Sequence, residues 1–298
     1  MKSRLSKIVI FVFLVANLGM AEYIKKDNAV YYKDEIWQAD EKKVNNADFK
    51  TFVELNKIYG KDNKNVFYGD EKLENADFKT FQAVGENIGR DKDNFYWYNQ
   101  KVKINPKDFK LYKNKDKIVY FRNNRKIYDL KGLDELNGIE DVDTFEVLDD
   151  EYSKDKHNIY YDGVTLSDVD MDTFQIIMPN YYAKDKNSVY SRHKKIKGAN
   201  PKTIKVLNEY YSKDDKNVYY DSDKISNADV NSFVVLEADH SYAKDKNAVY
   251  YSGEKIKGAN PKTFKVISDG SYSKDDKNVY AGLEIVKGAD PQTFKEVS

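Results

Sequence analysis

Ala243-Lys244-Asp245-Lys246-Asn247-Ala248-Val249-Tyr250-Tyr251 joins a polar half suited to a tight turn to a β-prone half ending in paired tyrosines. Close copies stand at Ser212-Lys213-Asp214-Asp215-Lys216-Asn217-Val218-Tyr219-Tyr220 and Ser273-Lys274-Asp275-Asp276-Lys277-Asn278-Val279-Tyr280. Aligned on the aspartate, the pattern is Lys/Arg-Asp-x-x-x-Val-Tyr. It holds at Asp62, Asp91, Asp155, Asp185, Asp214, Asp245 and Asp275, and with one residue fewer at Asp27 and Asp116. The aromatic recurs at 31, 67, 96, 120, 160, 190, 219, 250 and 280, a period near 30 residues. Self-similarity at a fixed period of this length marks a stacked repeat architecture.

A second signature follows in each unit, seen at Ala47-Asp48-Phe49-Lys50-Thr51-Phe52, Ala199 to Ile204, Ala259 to Phe264 and Ala289 to Phe294. Its second position is Asp or Asn, and Pro stands third in four copies. Asx before Pro is what a helix N-terminus needs, an acceptor for unpaired amides and then a residue without its own amide proton. The length left allows about one turn, so the pattern predicts a short helical turn whose Phe plugs the core. Val-Tyr-Tyr, a turn such as Ser252-Gly253 and a return such as Lys255-Ile256 predict a hairpin. Phe264 to Ile267 and Tyr272 to Lys274 predict two further strands.

The expected fold is therefore mainly β, built of tandem units of about 30 residues with three or four short strands and one helical turn each. Known propeller blades take about 40 to 50 residues for four strands. A solenoid-like stack is thus the first expectation and a ring-closed β-propeller the alternative. An N-terminal array (22–129) and a more regular C-terminal array (139–298) flank an irregular insert (130–138), which reads either as a seam or as a loop within one continuous array.

Lys2, Arg4 and Lys7 precede an apolar run from Ile8 to Leu18 and then Gly19-Met20-Ala21, the layout of a secretory signal peptide over residues 1–21. The run is short of the roughly 20 apolar residues of a spanning helix. Cleavage after Ala21 leaves 47 basic and 50 acidic residues, so the field is too weak to recruit nucleic acid or an anionic membrane. There is no cysteine, hence no lipidated cysteine and no disulfide, and an exported chain must hold together by packing alone. Charged residues make up 34% and mean hydropathy is −0.80, but 25 Tyr, 15 Phe and 2 Trp, placed periodically, supply ample area to bury. Export to the periplasm or outer surface follows from the leader, with no stable membrane insertion once it is removed.

Asp215-Lys216-Asn217-Val218-Tyr219-Tyr220, Asp276-Lys277-Asn278-Val279-Tyr280 and Asp245-Lys246-Asn247-Ala248-Val249-Tyr250-Tyr251 resemble the repeats of the DKNYY family of bacterial proteins. The resemblance covers nearly the whole chain after residue 21 and implies an exported protein of a Gram-negative envelope. It implies no activity and no catalytic residues. Asp62-Asn63-Lys64-Asn65 and Asp91-Lys92-Asp93-Asn94 scramble the tripeptide, and Lys115-Asp116-Lys117-Ile118 drops a residue.

No catalytic, cofactor or metal motif stands out. The Asp/Asn-rich loops raise the question of calcium, but a Lys sits among the would-be ligands, and Asp and Asn cap tight turns by bonding their own backbone. His157, His193 and His240 occupy unrelated repeat positions with no metal spacing, and Ser191-Arg192-His193-Lys194 matches S-x-x-K without its companion motifs. Strand alternation turns one tyrosine of each pair inward and the other outward. The outward set, Tyr32, Tyr161, Tyr220 and Tyr251, is the candidate binding ladder, with cross-strand packing as the plainer reading. The chain thus reads as a non-enzymatic exported scaffold, structural or binding an envelope protein or surface glycan. The rival is an enzyme whose site lies at residues 110–145, where Arg122, Arg125, Asp134, Glu135 and Glu140 fall outside the pattern.

Overall fold

The computed structural model describes residues 22–33, 40–102, 104, 109–115, 117–130, 134–237, 239–267 and 271–294. The expected leader lies outside them. Each regular unit is an antiparallel meander of four short strands in chain order, as in Lys265–Ile267, Tyr272–Lys274, Val279–Ala281 and Glu284–Ile285. Seven sheets among the described residues have this form, and two have three strands. No sheet among them closes into a barrel, and the mainly β repeat array expected from the period is what the chain forms.

Register repeats with the sequence. Tyr242 faces Tyr251, Ala243 faces Tyr250 and Lys244 faces Val249, and the same pairings recur at Tyr152 with Tyr161, Tyr211 with Tyr220 and Tyr59 with Tyr68. The two three-stranded sheets begin where the aspartate loop is one residue short. Asp27 and Asn28 both take left-handed φ, 50° and 57°, so Glu22–Lys26 and Ala29–Lys33 join by a two-residue hairpin. Lys115 likewise stands at 52°, between the long strands Phe109–Asn114 and Lys117–Asn123.

The expected helical turn is corrected by the structure. The second signature forms an isolated turn: the amides of Thr51 and Phe52 both donate to the Asp48 carbonyl, at 3.2 and 2.9 Å, and the chain then leaves directly into the strand Val53–Glu54. One i→i+4 bond fixes several dihedrals for little return, and the Phe must dive into the core before a second turn can add bonds. What looked like a helix N-terminus is the capping chemistry alone.

That Phe is buried over a small residue in the second strand. Gly60 and Gly89 serve in the N-terminal units, where an added Cβ would lie 2.3 Å from the ring of Phe52 or Phe81. Ser153, Ala183, Ser212, Ala243 and Ser273 hold the equivalent position further on, all fully buried. Each apolar cluster joins one sheet to the next in sequence. One groups Tyr211, Val218, Ile225 and Phe233 with Ala243, Ala248 and Tyr250, and another groups Tyr242, Val249, Ile256 and Phe264 with Tyr280. Nearest-neighbour burial of this kind is how repeat chains build a core without long-range pairing.

Contacts divide the chain into two units, residues 1–110 and 111–298. The expected insert at 130–138 falls within the second. In both, the first and fourth strands of a regular sheet are edges of two to four residues, and the fourth is exposed throughout in pairs such as Lys194–Lys195 and Glu254–Lys255. Short, charged edges discourage pairing with other chains.

Candidate functional site

The most repeated polar residue is also the most completely used. Asp245 is 3% exposed. Its Oδ1 accepts the amides of Asn247 and Ala248 at 2.6 and 2.8 Å, closing the turn. Its Oδ2 accepts the Tyr250 hydroxyl at 2.9 Å and the amide of Asp229, in the preceding second signature, at 2.7 Å. The same backward bond joins Asp48 to Asp62, Asp77 to Asp91, Asp141 to Asp155, Asp170 to Asp185, Asn200 to Asp214 and Asn260 to Asp275, at 2.8 to 3.0 Å. Tyr96, Tyr160, Tyr190, Tyr219 and Tyr280 repeat the hydroxyl bond. Asp62 has Phe67 in that place and lacks it.

The preceding lysine works in the opposite direction. Lys244 donates to the Pro261 carbonyl at 3.1 Å, in the second signature that follows its own sheet. Lys184 reaches Pro201, Lys213 reaches Val230 and Lys274 reaches Pro291, each 17 residues ahead at 2.9 to 3.0 Å. Lys-Asp is thus a two-way clamp, with Asp holding the turn before the sheet and Lys the turn after it. The Thr or Ser of the signature adds a third tie: Thr144, Thr173 and Ser232 accept the amides of Lys156, Lys186 and Lys246 at 3.0 Å.

The residue after the clamp aspartate is matched to the signature's Asx. Where the signature carries Asp, a Lys follows in all the clamped pairs but Asp48–Asp62, which has Asn63: Lys156 pairs with Asp141 at 2.7 Å and Lys246 with Asp229 at 2.8 Å. Where it carries Asn, an Asp follows: Asn200 donates to Asp215 at 3.2 Å and Asn260 to Asp276 at 2.8 Å. The Lys246 ammonium holds the Asp229 carboxyl down at about 2. Burial alone would raise Asp91, Asp155, Asp214, Asp245 and Asp275, but their amide and hydroxyl donors outweigh it and hold these carboxyls below the usual range. Burial, then the carboxylate acceptor, pushes the Tyr160 and Tyr219 hydroxyls up to about 12. Turn and strand chemistry therefore accounts for the oxygens of the Asp-Lys-Asn loops.

The candidate ladder Tyr32, Tyr161, Tyr220 and Tyr251 lies half-buried on the face opposite the inner tyrosines. Tyr161 packs on Tyr152 with ring centroids 5.0 Å apart, Tyr220 on Tyr211 at 5.0 Å, Tyr251 on Tyr242 at 4.6 Å and Tyr32 on Tyr23 at 5.1 Å. Each also sits beneath the hairpin turn of the next unit. An added Cβ at Gly69, Gly253 or Gly282 would approach Tyr32, Tyr220 or Tyr251 to 3.2, 2.6 and 3.2 Å, and the His193 ring lies 6.2 Å from that of Tyr161. The four are brought into one series by the repeat, with much of each ring already covered.

At residues 110–145 the irregular charges meet partners. Arg122 pairs with Asp143 at 2.8 Å and Lys126 with Glu135 at 2.6 Å, while the Glu140 amide donates to the Tyr160 hydroxyl at 3.1 Å as part of the repeat. His157 and His193 are exposed in turns, and the His240 ring lies 3.3 Å from Glu209. Among the described residues no group of three or more His, Asp or Glu is placed to hold a metal ion.

A model of the DKNYY family matches residues 6–101, 112–254, 152–282 and 242–298. The chain belongs to the DKNYY family. Searches of curated proteins and of solved structures returned no match. In the repeat of this chain the Asp five residues before the first Tyr is the clamp, which at Asp214 and Asp275 stands just before the Asp-Lys-Asn tripeptide; the first Tyr bonds that clamp and the second roofs the sheet. The sequence alone showed none of these long reaches. The signal was present in the constant 14 to 16 residues between signature Asx and clamp Asp, and in the invariable basic residue before that Asp.

Proposed function

We propose that this DKNYY chain is an exported, non-enzymatic scaffold of the cell envelope that presents its exposed strand edges to a partner protein or surface glycan. The observation that carries the reading is the clamp. In the regular units the recurring Lys-Asp pair is largely spent on joining each sheet to the turns beside it, which leaves little constant polar chemistry over. What varies is exposed: the fourth strands read Glu71–Lys72, Val164–Thr165, Lys194–Lys195, Asp223–Lys224, Glu254–Lys255 and Glu284–Ile285. A constant frame with a variable rim is how repeat proteins separate folding from recognition. The basic, apolar and small-residue sequence of positions 1–21 supports export.

The test is a pull-down from envelope extracts with residues 22–298, compared with a variant carrying Lys194→Ser, Lys195→Ser, Glu254→Ser and Lys255→Ser. A partner retained by the first and lost by the second supports the reading, and equal capture or none overturns it. N-terminal sequencing of the protein from fractionated cells is expected to begin at Glu22. A cytoplasmic chain that keeps residues 1–21 would contradict export.

A further inference from the structure

The roof of tyrosines is interrupted at Ser191 and at Ala281 within the second unit, and of the two Ser191 is the one followed by a further described hairpin turn. Val189-Tyr190-Ser191 stands where its neighbours have Ile159-Tyr160-Tyr161, Val218-Tyr219-Tyr220 and Val249-Tyr250-Tyr251. Elsewhere the second tyrosine lies beneath the next unit's turn, as Tyr220 lies beneath Gly253. Beneath Asp221-Ser222 Ser191 stands in place of a ring, and a cleft of about 180 Å³ opens between the two hairpin turns. Ser191, Arg192, His193 and Lys194 line one side, and Asp221, Ser222 and Asp223 the other.

The walls of this gap are braced. Arg192 pairs with Asp221 across it, and its guanidinium lies between the rings of Tyr181 and Tyr210, 5.4 and 5.8 Å from their centroids. Tyr210 stacks in turn on Tyr220 at 5.9 Å. The Arg192 amide donates to the Tyr181 carbonyl, and the Arg192 carbonyl accepts the Tyr152 hydroxyl at 3.1 Å, so the backbone that carries the guanidinium is fixed from two sides. The equivalent turn position in the neighbouring repeats carries Asp162, Asp221, Ser252 and Gly282. The symmetry of the array is broken here twice, by the missing ring and by the arginine.

We propose that this cleft binds a single neutral pyranose ring of a glycan, an assignment that rests on the scaffold reading above. The space, about 180 Å³, is well under the roughly 300–1,000 Å³ of sites for larger ligands, so one ring fits and an oligomer does not. Two cationic and two anionic side chains line it, which favours no net charge on the ligand. Carboxylate, hydroxyl, guanidinium and imidazole groups around the rim suit the alternating hydroxyls of a sugar better than the bare face of an aromatic side chain. A terminal sugar on a longer chain enters this way, the rest of the chain leaving over the exposed edge at Lys194 and Asp223.

The experiment is saturation-transfer NMR on residues 22–298 with the methyl β-glycosides of glucose, galactose, mannose and N-acetylglucosamine, and with N-acetyltyrosinamide as the aromatic probe. Wild type is expected to bind at least one glycoside and to prefer it to the aromatic probe. Ser191→Tyr restores the repeat's own ring and is expected to weaken glycoside binding at least tenfold without lowering the melting temperature. Asp223→Ala changes only the exposed rim and is expected to weaken it several-fold, which keeps the test open should the first variant misfold. No glycoside binding, preference for the aromatic probe, or equal affinity in wild type and Asp223→Ala would each overturn the proposal. If the pull-down still captures a partner in that case, the scaffold reading stands and only the cleft assignment falls.

Discussion

Replacing Asp245 by Ala removes the acceptor for four donors at once: the amides of Asn247, Ala248 and Asp229 and the Tyr250 hydroxyl. Asn247 is exposed, so water takes over its amide, while Ala248 and Tyr250 are buried and Asp229 is half-covered. A buried donor left unpaired costs about 1–3 kcal/mol. Partial hydration of the Asp229 amide trims the sum, and the expected loss is about 3–5 kcal/mol, at the high end for a single substitution. Tyr250→Phe removes one hydroxyl bond and is expected to cost about 1 kcal/mol. Because both changes act on one network, the double variant should lose less than the sum of the singles. The assay is urea unfolding followed by far-UV circular dichroism, with amide exchange read over residues 229–250, because a nearest-neighbour array opens locally before it melts as a whole. An Asp245→Ala protein within about 1 kcal/mol of wild type, or one whose exchange is unchanged over that segment, would refute the clamp as a structural element.

Three further outcomes follow from the same geometry. Clamp carboxyls held below their usual range give stability that is complete above the unfolded value of about 3.9 and lost as pH falls through the lower folded value. Acid titration should therefore leave stability level down to about pH 5 and remove it steeply below about pH 4, and a loss centred between about pH 5 and 7 would contradict this. Gly89→Ala drives a Cβ into the buried Phe81 ring and should cost about 1–3 kcal/mol in urea unfolding, with much of it recovered by adding Phe81→Leu. Asn200→Asp sets a carboxylate against Asp215 and should lower the melting temperature, while Asn200→Asp with Asp215→Lys, the pairing used at Asp229 and Lys246, should restore it.

The alternation of Val-Tyr-Tyr was enough to place strands and the inward tyrosines, because period-two burial is a local property. The helical turn failed for a reason the local pattern could not carry. Asx-Pro caps a turn whether or not a helix follows, and only the depth of the core decides that Phe52 or Phe264 must leave the turn at once. The lysine before the clamp shows no partner within its own loop. Its partner, a carbonyl 17 residues ahead, exists only once consecutive sheets are packed. The second tyrosines were legible as a series, but not their cover, which comes from a turn about 30 residues downstream. For the same reason Ser191 reads in the sequence as a mere substitution and in the structure as a gap.

The clamp is tested most directly by amide exchange at the signature Asx residues of the unmodified chain. The amides of Asp48, Asp77, Asp141, Asp170, Asn200, Asp229 and Asn260 lie in turns between strands, where solvent would otherwise reach them, and each donates to a buried carboxylate 14 to 16 residues ahead. The clamp predicts that these seven exchange as slowly as the strand amides of their own sheets. Exchange at the rate of an open turn would contradict it.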